Sequence, residues 1–111
     1  MYLFVKLWKP KQAWHELSKQ ERLKYVKQAL DIMYSISSTI ETIAWMDIVD
    51  MENKHDTPYH YCSVYKFYDK YDADVFHNKM IKFKWYDYFE QTNILGEIES
   101  PGAVLNRIIQ L

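Results

Sequence analysis

The chain is short of the residues that staple, hinge or span. One cysteine, Cys62, among 111 residues allows no internal disulfide, and such usage suits a reducing, cytoplasmic setting. Two glycines and three prolines leave no room for a Gly-rich phosphate cradle or a flexible linker. Neither sign of charge dominates. Lys and Arg number 14 against 15 Asp and Glu, for a net charge of −1, and no basic cluster stands out. Binding to nucleic acid through phosphate neutralisation is therefore not expected. The longest run free of charged residues is nine, against the roughly 20 that a membrane-crossing helix needs. Met1 leads straight into a strand pattern, so neither a membrane segment nor a signal peptide is expected.

What the chain has in quantity is apolar and aromatic side chains, with ten Tyr, five Phe and four Trp. A chain of this length folds as one domain, 1–111, and buries roughly 65% of its unfolded surface without disulfides or metal. Tyr2-Leu3-Phe4-Val5-Lys6-Leu7-Trp8 alternates as a strand, with Leu3, Val5 and Leu7 on one face and Tyr2, Phe4, Lys6 and Trp8 on the other. Lys9-Pro10 ends it. A connection from Lys11 to Leu17 brings Trp14 and His15, and Ser18 with Glu21 has the spacing of a capping box. Leu23, Val26, Leu30, Met33 and Ile36 then recur at three and four, a helical stripe that fades at Ser37-Ser38.

Ile40 to Val49 reads as a second strand, with Ala44, Met46 and Ile48 opposed to Ile43, Trp45, Asp47 and Val49. Asp50 to Pro58 is polar and reads as a surface loop. Tyr59 to Phe67 is a third strand, setting Tyr61, Ser63, Tyr65 and Phe67 against His60, Cys62, Val64 and Lys66. Asp69 or Asp72 caps a second helix with the stripe Ala73, Phe76, Met80 and Phe83. Tyr86 to Asn93 is a fourth strand, with Tyr88 and Glu90 opposed to Phe89 and Gln91. Ser100-Pro101 opens a terminal helix striped by Val104, Leu105, Ile108 and Ile109. The order β-α-β-β-α-β plus a C-terminal helix is a ferredoxin-like α+β sandwich, with both long helices on one sheet face.

Both sheet faces are apolar or aromatic, and such a sheet wants cover on both sides. Compact aliphatics, namely Leu3, Val5, Leu7, Ala44, Met46, Cys62 and Val64, are expected beneath the helices. The open face would then carry Phe4, Lys6, Trp8, Trp45, Asp47, Tyr61, Tyr65, Tyr88 and Glu90, an area too large to leave bare on a monomer. A second copy stacked sheet to sheet covers it as a homodimer. The alternative is partial cover by the terminal helix, whose eleven residues reach only about 16 Å.

The opening strand Tyr2–Trp8, Pro10, Ala13-Trp14, Leu17-Ser18, Glu21-Arg22 and the run Trp85–Asn93 resemble the dimeric α+β barrel superfamily, with a closer resemblance to its darcynin-like proteins. That superfamily includes antibiotic-biosynthesis monooxygenases, haem-degrading relatives and muconolactone isomerases. The resemblance implies a homodimer that holds a small hydrophobic ligand between sheet and helices. Its enzymatic form would be a cofactor-independent monooxygenase or isomerase acting on an aromatic or polyketide-like compound. Fold analogy does not supply the chemistry.

The residues that suit such a ligand site are Trp8, Trp14, His15, Trp45, Tyr65 and Tyr88 as its lining, with Asp47 and Glu90 as proton-handling carboxyls. Inside an aromatic interior, desolvation would raise the pKa of either acid and fit it to exchange a proton with a phenol or enol. The bland reading makes both acids structural, the aromatics a core, and the protein a non-catalytic homodimeric interaction module. His15, His55, His60 and His77 show no metal-binding spacing, and the pair His60/Cys62 falls short of a zinc ligand set, so no metal is expected. No cofactor is required either. Haem is the one weighed, through His77 or His60, because superfamily relatives bind it.

Overall fold

The structure, a computed structural model, describes residues 1–49, 51 and 58–111. Apart from Met51 and Pro58, the expected Asp50–Pro58 loop lies outside the described residues, as does His55. The elements run β1 (Tyr2–Pro10), α1 (Gln12–His15), α2 (Lys19–Ser35), β2 (Ile40–Asp47), β3 (Tyr61–Phe67), α3 (Lys70–Lys82), α4 (Trp85–Tyr88), β4 (Phe89–Glu97) and α5 (Pro101–Ile109). The four strands form one antiparallel sheet in the order β2-β3-β1-β4, the α+β arrangement that the sequence predicts.

Local chemistry sets the helix starts. Ser18 accepts from the Glu21 N–H while the Glu21 carboxylate accepts from the Ser18 N–H, a complete capping box. Asp69 rather than Asp72 caps α3, accepting from the Asp72 N–H at 3.0 Å. Ser100 caps α5, with Pro101 in its first turn.

Three expectations are corrected. The first concerns which sheet face the helices cover. Phe4, Trp8, Tyr65 and Phe67 are buried with Ala73, Phe76 and Met80 of α3, so the aromatic set lies beneath the helices. The aliphatic set forms the open face, in the cross-strand rows Ala44–Val64–Val5–Ile94 and Met46–Cys62–Leu7–Thr92. Size decides this. Rings remove more apolar area from water than Val or Leu, and the layer is wide enough for Phe76 to meet Phe4 at 5.6 Å and Tyr65 at 5.2 Å between centroids.

The second correction is a rotation of α2. Tyr25, Ala29 and Met33 pack toward the core and Ile36 is buried, whereas Leu23, Val26 and Leu30 face solvent. Tyr25 draws that face inward. Its ring stacks on Phe83 at 4.3 Å and its hydroxyl donates to the Phe83 carbonyl at 3.0 Å, so both its apolar body and its polar tip are satisfied.

Third, Tyr86–Tyr88, expected to open the last strand, belongs to a helical turn, Trp85–Tyr88. Lys84, at φ 62°, reverses the chain ahead of it, and β4 runs on to Glu97. The Lys11–Leu17 connection likewise contains a helical turn, α1. The terminal helix buries none of its residues. The whole molecule is 52 × 39 × 19 Å, and its thinnest dimension is that of one helix layer on one sheet.

Candidate functional site

The least ordinary residue in the aromatic layer is Lys6. It sits mid-β1, between Phe4 and Trp8 on the helix-covered face, and is only 2% exposed. Four rings surround its Nζ, with centroids at 4.8 Å (Trp85), 5.4 Å (Trp8 and Phe76) and 6.0 Å (Tyr65). Among the described residues no carboxylate pairs with it. Burial lowers its pKa from 10.5 to about 7. Across the β1–β3 ladder its direct neighbour is Ser63, fully buried, whose Oγ has no hydrogen-bond partner among the described residues.

On the other side, across the β1–β4 ladder, Lys6 faces Asn93. Asn93 belongs to a polar chain. Trp85 Nε1 donates to Gln91 Oε1 at 2.6 Å, Gln91 Nε2 donates to Asn93 Oδ1, and Asn93 Nδ2 donates to the Tyr86 hydroxyl at 2.7 Å. Tyr86 OH lies 3.3 Å from His77 Nδ1 and, as an acceptor from Asn93, has its proton free for that nitrogen. Burial also raises the pKa of Tyr65, so its phenol stays protonated throughout the neutral range.

Trp8 connects this interior to the surface. Its ring meets Trp45 at 5.3 Å and Tyr61 at 5.9 Å, and with Met46 and Asp47 these residues line an open recess of about 250 Å³ at the β2 edge of the sheet. Trp45, 49% exposed, packs edge-on against Trp8 and also against Tyr65 at 6.2 Å. A second recess, of about 330 Å³, lies at the far end of the sheet between Ser37–Glu41 and Lys66–Tyr68.

The structure thus brings together four of the residues picked from sequence: Trp8, Trp45, Asp47 and Tyr65. It separates the others. Trp14 and Tyr88, 5.9 Å apart, join Tyr25 and Phe89 in the part of the aromatic core beside α1 and α4, which Trp85 links to Trp8. His15 is exposed, and its carbonyl accepts from the Arg22 guanidinium at 3.0 Å. Glu90 falls on the open face: its register partner is Lys9, which its carboxylate meets at 3.4 Å in solvent. The start of β4 at Phe89 puts Phe89 and Gln91 on the helix side and Glu90 on the other. Asp47 keeps the expected face, opposite Tyr61, but on the edge strand it is exposed. Neither acid therefore has the burial that the sequence reading assigned to it.

Lys6, Ser63 and the Gln91–Asn93–Tyr86–His77 chain escaped the sequence reading. The one available signal was a single charged residue at Lys6 in an otherwise aromatic strand face. Among the described residues no three His, Cys, Asp or Glu side chains converge on a point. His60 is exposed and Cys62 lies on the open face, with burial pushing its thiol pKa up. The His77 ring packs against Phe4 and Tyr86 at 6.5 and 6.2 Å, its Nδ1 faces the Tyr86 hydroxyl, and neither recess includes His77 or His60.

A family model matches residues 1–111, the whole chain. The chain belongs to DUF6616, a family of unknown function. No curated protein matches. Among solved structures, this DUF6616 protein is similar to a dabb family protein with a ferredoxin-like fold from Mesorhizobium loti. The TM-score is 0.62 at 12% identity, covering 89% of this chain and 97% of that one. A haem-binding protein from Thermus thermophilus gives a TM-score of 0.73 at 13% identity over 99% of this chain but only 44% of its own, so the DUF6616 chain spans less than half its length. SnoaB, a cofactor-independent oxygenase from Streptomyces nogalater, gives 0.50 at 6% identity, over 89% and 93%. At such identities the likeness is one of fold. That fold is the ferredoxin-like one. No helix among the described residues is long and apolar enough to cross a membrane.

Proposed function

We propose that this DUF6616 protein is a homodimeric small-molecule-binding protein whose ligand is planar and aromatic. The ligand would seat in the recess formed by Trp8, Trp45, Tyr61 and Asp47. One observation carries the reading: three aromatic rings converge around an open space of about 250 Å³ with one carboxylate at the rim. Two indoles set edge to face offer one ring for stacking and another for edge contact, the geometry that selects flat, electron-rich ligands. In its enzymatic form the protein is an isomerase or cofactor-independent monooxygenase on an aromatic or polyketide-like compound. Asp47 then exchanges a proton with the ligand's hydroxyl or enol. SnoaB, of the same fold, is a cofactor-independent oxygenase and supports this form by analogy.

The second copy belongs on the open aliphatic face. Ile94 (52% exposed) and Met46 (48%) stand uncovered beside Val5, Leu7 and Val64, and two such faces stacked together form a barrel-like core. The test of the ligand site is titration with 2-naphthol followed by tryptophan fluorescence. Saturable quenching is expected, and Trp45→Ala should weaken binding at least tenfold while Asp47→Asn leaves the dimer intact. Equal quenching in wild type and Trp45→Ala would remove the recess from consideration. A non-catalytic interaction module is the second reading, favoured by the solvent-facing Leu23, Val26 and Leu30 of α2 and the uncovered apolar stripe of α5.

A further inference from the structure

Lys6 is an expensive residue to keep where it is. A methionine would fill the same aromatic space without an amine to desolvate, and buried lysines are rare unless paired. Here the partner is missing among the described residues, and the environment is four rings, the unpartnered Ser63 hydroxyl and the Asn93 amide. We infer that Lys6 is a carbonyl-capturing amine, which condenses with a small aldehyde or ketone reaching it from the Trp8–Trp45 recess. The inference deepens the proposed ligand site and relies on that recess as its entrance.

The chemistry closes on the groups present. The Nζ lone pair forms the C–N bond as the carbonyl π electrons move to oxygen. That oxygen takes the two amine protons in turn and departs as water, leaving the imine. Nothing is oxidised or reduced. Ser63 Oγ, one rung away on β3, is a buried hydroxyl that can support the carbonyl oxygen as charge develops. The rings that make the ammonium costly relative to water accommodate the neutral imine, which has no charge to desolvate. Desolvation leaves about half of the amine in the free form at pH 7, the form that attacks.

Entrance is the second requirement. Trp45 packs on both Trp8 and Tyr65, two of the four cage walls, and is itself half exposed. Truncating Trp45 removes the ring that packs on those two walls from outside and leaves the other two, Phe76 and Trp85, in place.

The test is reductive trapping on the full chain with benzaldehyde and cyanoborohydride at pH 7, with adducts located by peptide mass spectrometry. An ordinary lysine is about four parts in ten thousand free amine at that pH, whereas a group titrating near 7 is about half free. The expected result is at least tenfold more adduct at Lys6 than at any exposed lysine, the Met1 α-amine being the one competitor. Trp45→Ala, with Trp45→Phe as a gentler companion, should speed the Lys6 reaction several-fold and leave the exposed lysines unchanged. Adducts at Met1 and the exposed lysines with Lys6 untouched in wild type and both variants would overturn the inference, even if 2-naphthol binds the recess. Labelling of Lys6 by formaldehyde but not by benzaldehyde would uphold the amine and overturn the recess as its entrance for aromatic ligands.

Discussion

A lysine that titrates near 7 inside a folded protein makes stability depend on pH in an unusual direction. Unfolded, Lys6 holds its proton up to about 10.5; folded, it releases it near 7. Between those values the unfolded state binds the extra proton, so unfolding free energy rises with pH across that window and is lowest below it. The shift corresponds to roughly 5 kcal/mol in full. Titratable groups on the elements around Lys6 include Tyr61 and Tyr65 on β3, His77 on α3, Tyr86 on α4 and Asp47 at the rim. Urea denaturation of wild type at one protein concentration should show a rising midpoint from pH 6 to pH 9. Lys6→Met should flatten that rise and be the more stable protein at pH 6, by about 2 kcal/mol or more. A wild-type midpoint that stays level over this range would mean that Lys6 keeps its proton when folded.

At the scale of elements, Lys84 is the residue most at odds with its backbone. It holds φ 62° at the turn from α3 into α4, a conformation that costs an L-residue about 1 kcal/mol and glycine nothing sterically. Lys84→Gly should therefore stabilise the protein or leave it unchanged, whereas Lys84→Val should destabilise it by about 1–2 kcal/mol, both read from thermal unfolding. This turn also shows where sequence reading stops. The order of strands and helices was legible from period and caps: Ser18 with Glu21, Asp69, and Ser100-Pro101 each mark a helix start in the chain itself. Tyr86–Tyr88 reads as strand in the sequence because these residues carry no helical period of their own. Tertiary packing of Trp85 on Phe89, at 4.1 Å, holds them as a helical turn. Alternation in β1 separated two faces correctly but carried no label for which face the helices cover. That choice depends on the depth of a layer built by α3 and α4 together. The acids went astray for other reasons: Asp47 keeps its face but lies on the edge strand, and the parity of β4 puts Glu90 on the face of Lys9. Lys6 was visible as a charged residue in an aromatic set, but its isolation from carboxylates is a property of the assembled interior.

The whole molecule is a slab 19 Å thick, with one sheet face covered and the other presenting Val5, Leu7, Val64, Met46 and Ile94. If a second copy covers that face, a charge at its centre must separate the copies. Val64→Asp is expected to convert a dimer to a monomer in sedimentation velocity, because the carboxylate would be desolvated against an aliphatic partner surface. Leu23→Asp, on the solvent face of α2, should leave the sedimentation coefficient unchanged. A wild-type monomer at all loading concentrations would instead leave the open face to another occupant.

The thinness of the slab reaches beyond its shape. A single layer of helices over one sheet buries little for its length, and an uncovered aliphatic face withholds a large part of the apolar area that could hold the chain folded. When association supplies that area, folding obeys mass action: dilution lowers the melting temperature, and chains unfold at low abundance that would stay folded at high. How many copies of this protein surround one another then becomes a determinant of whether each has a structure at all.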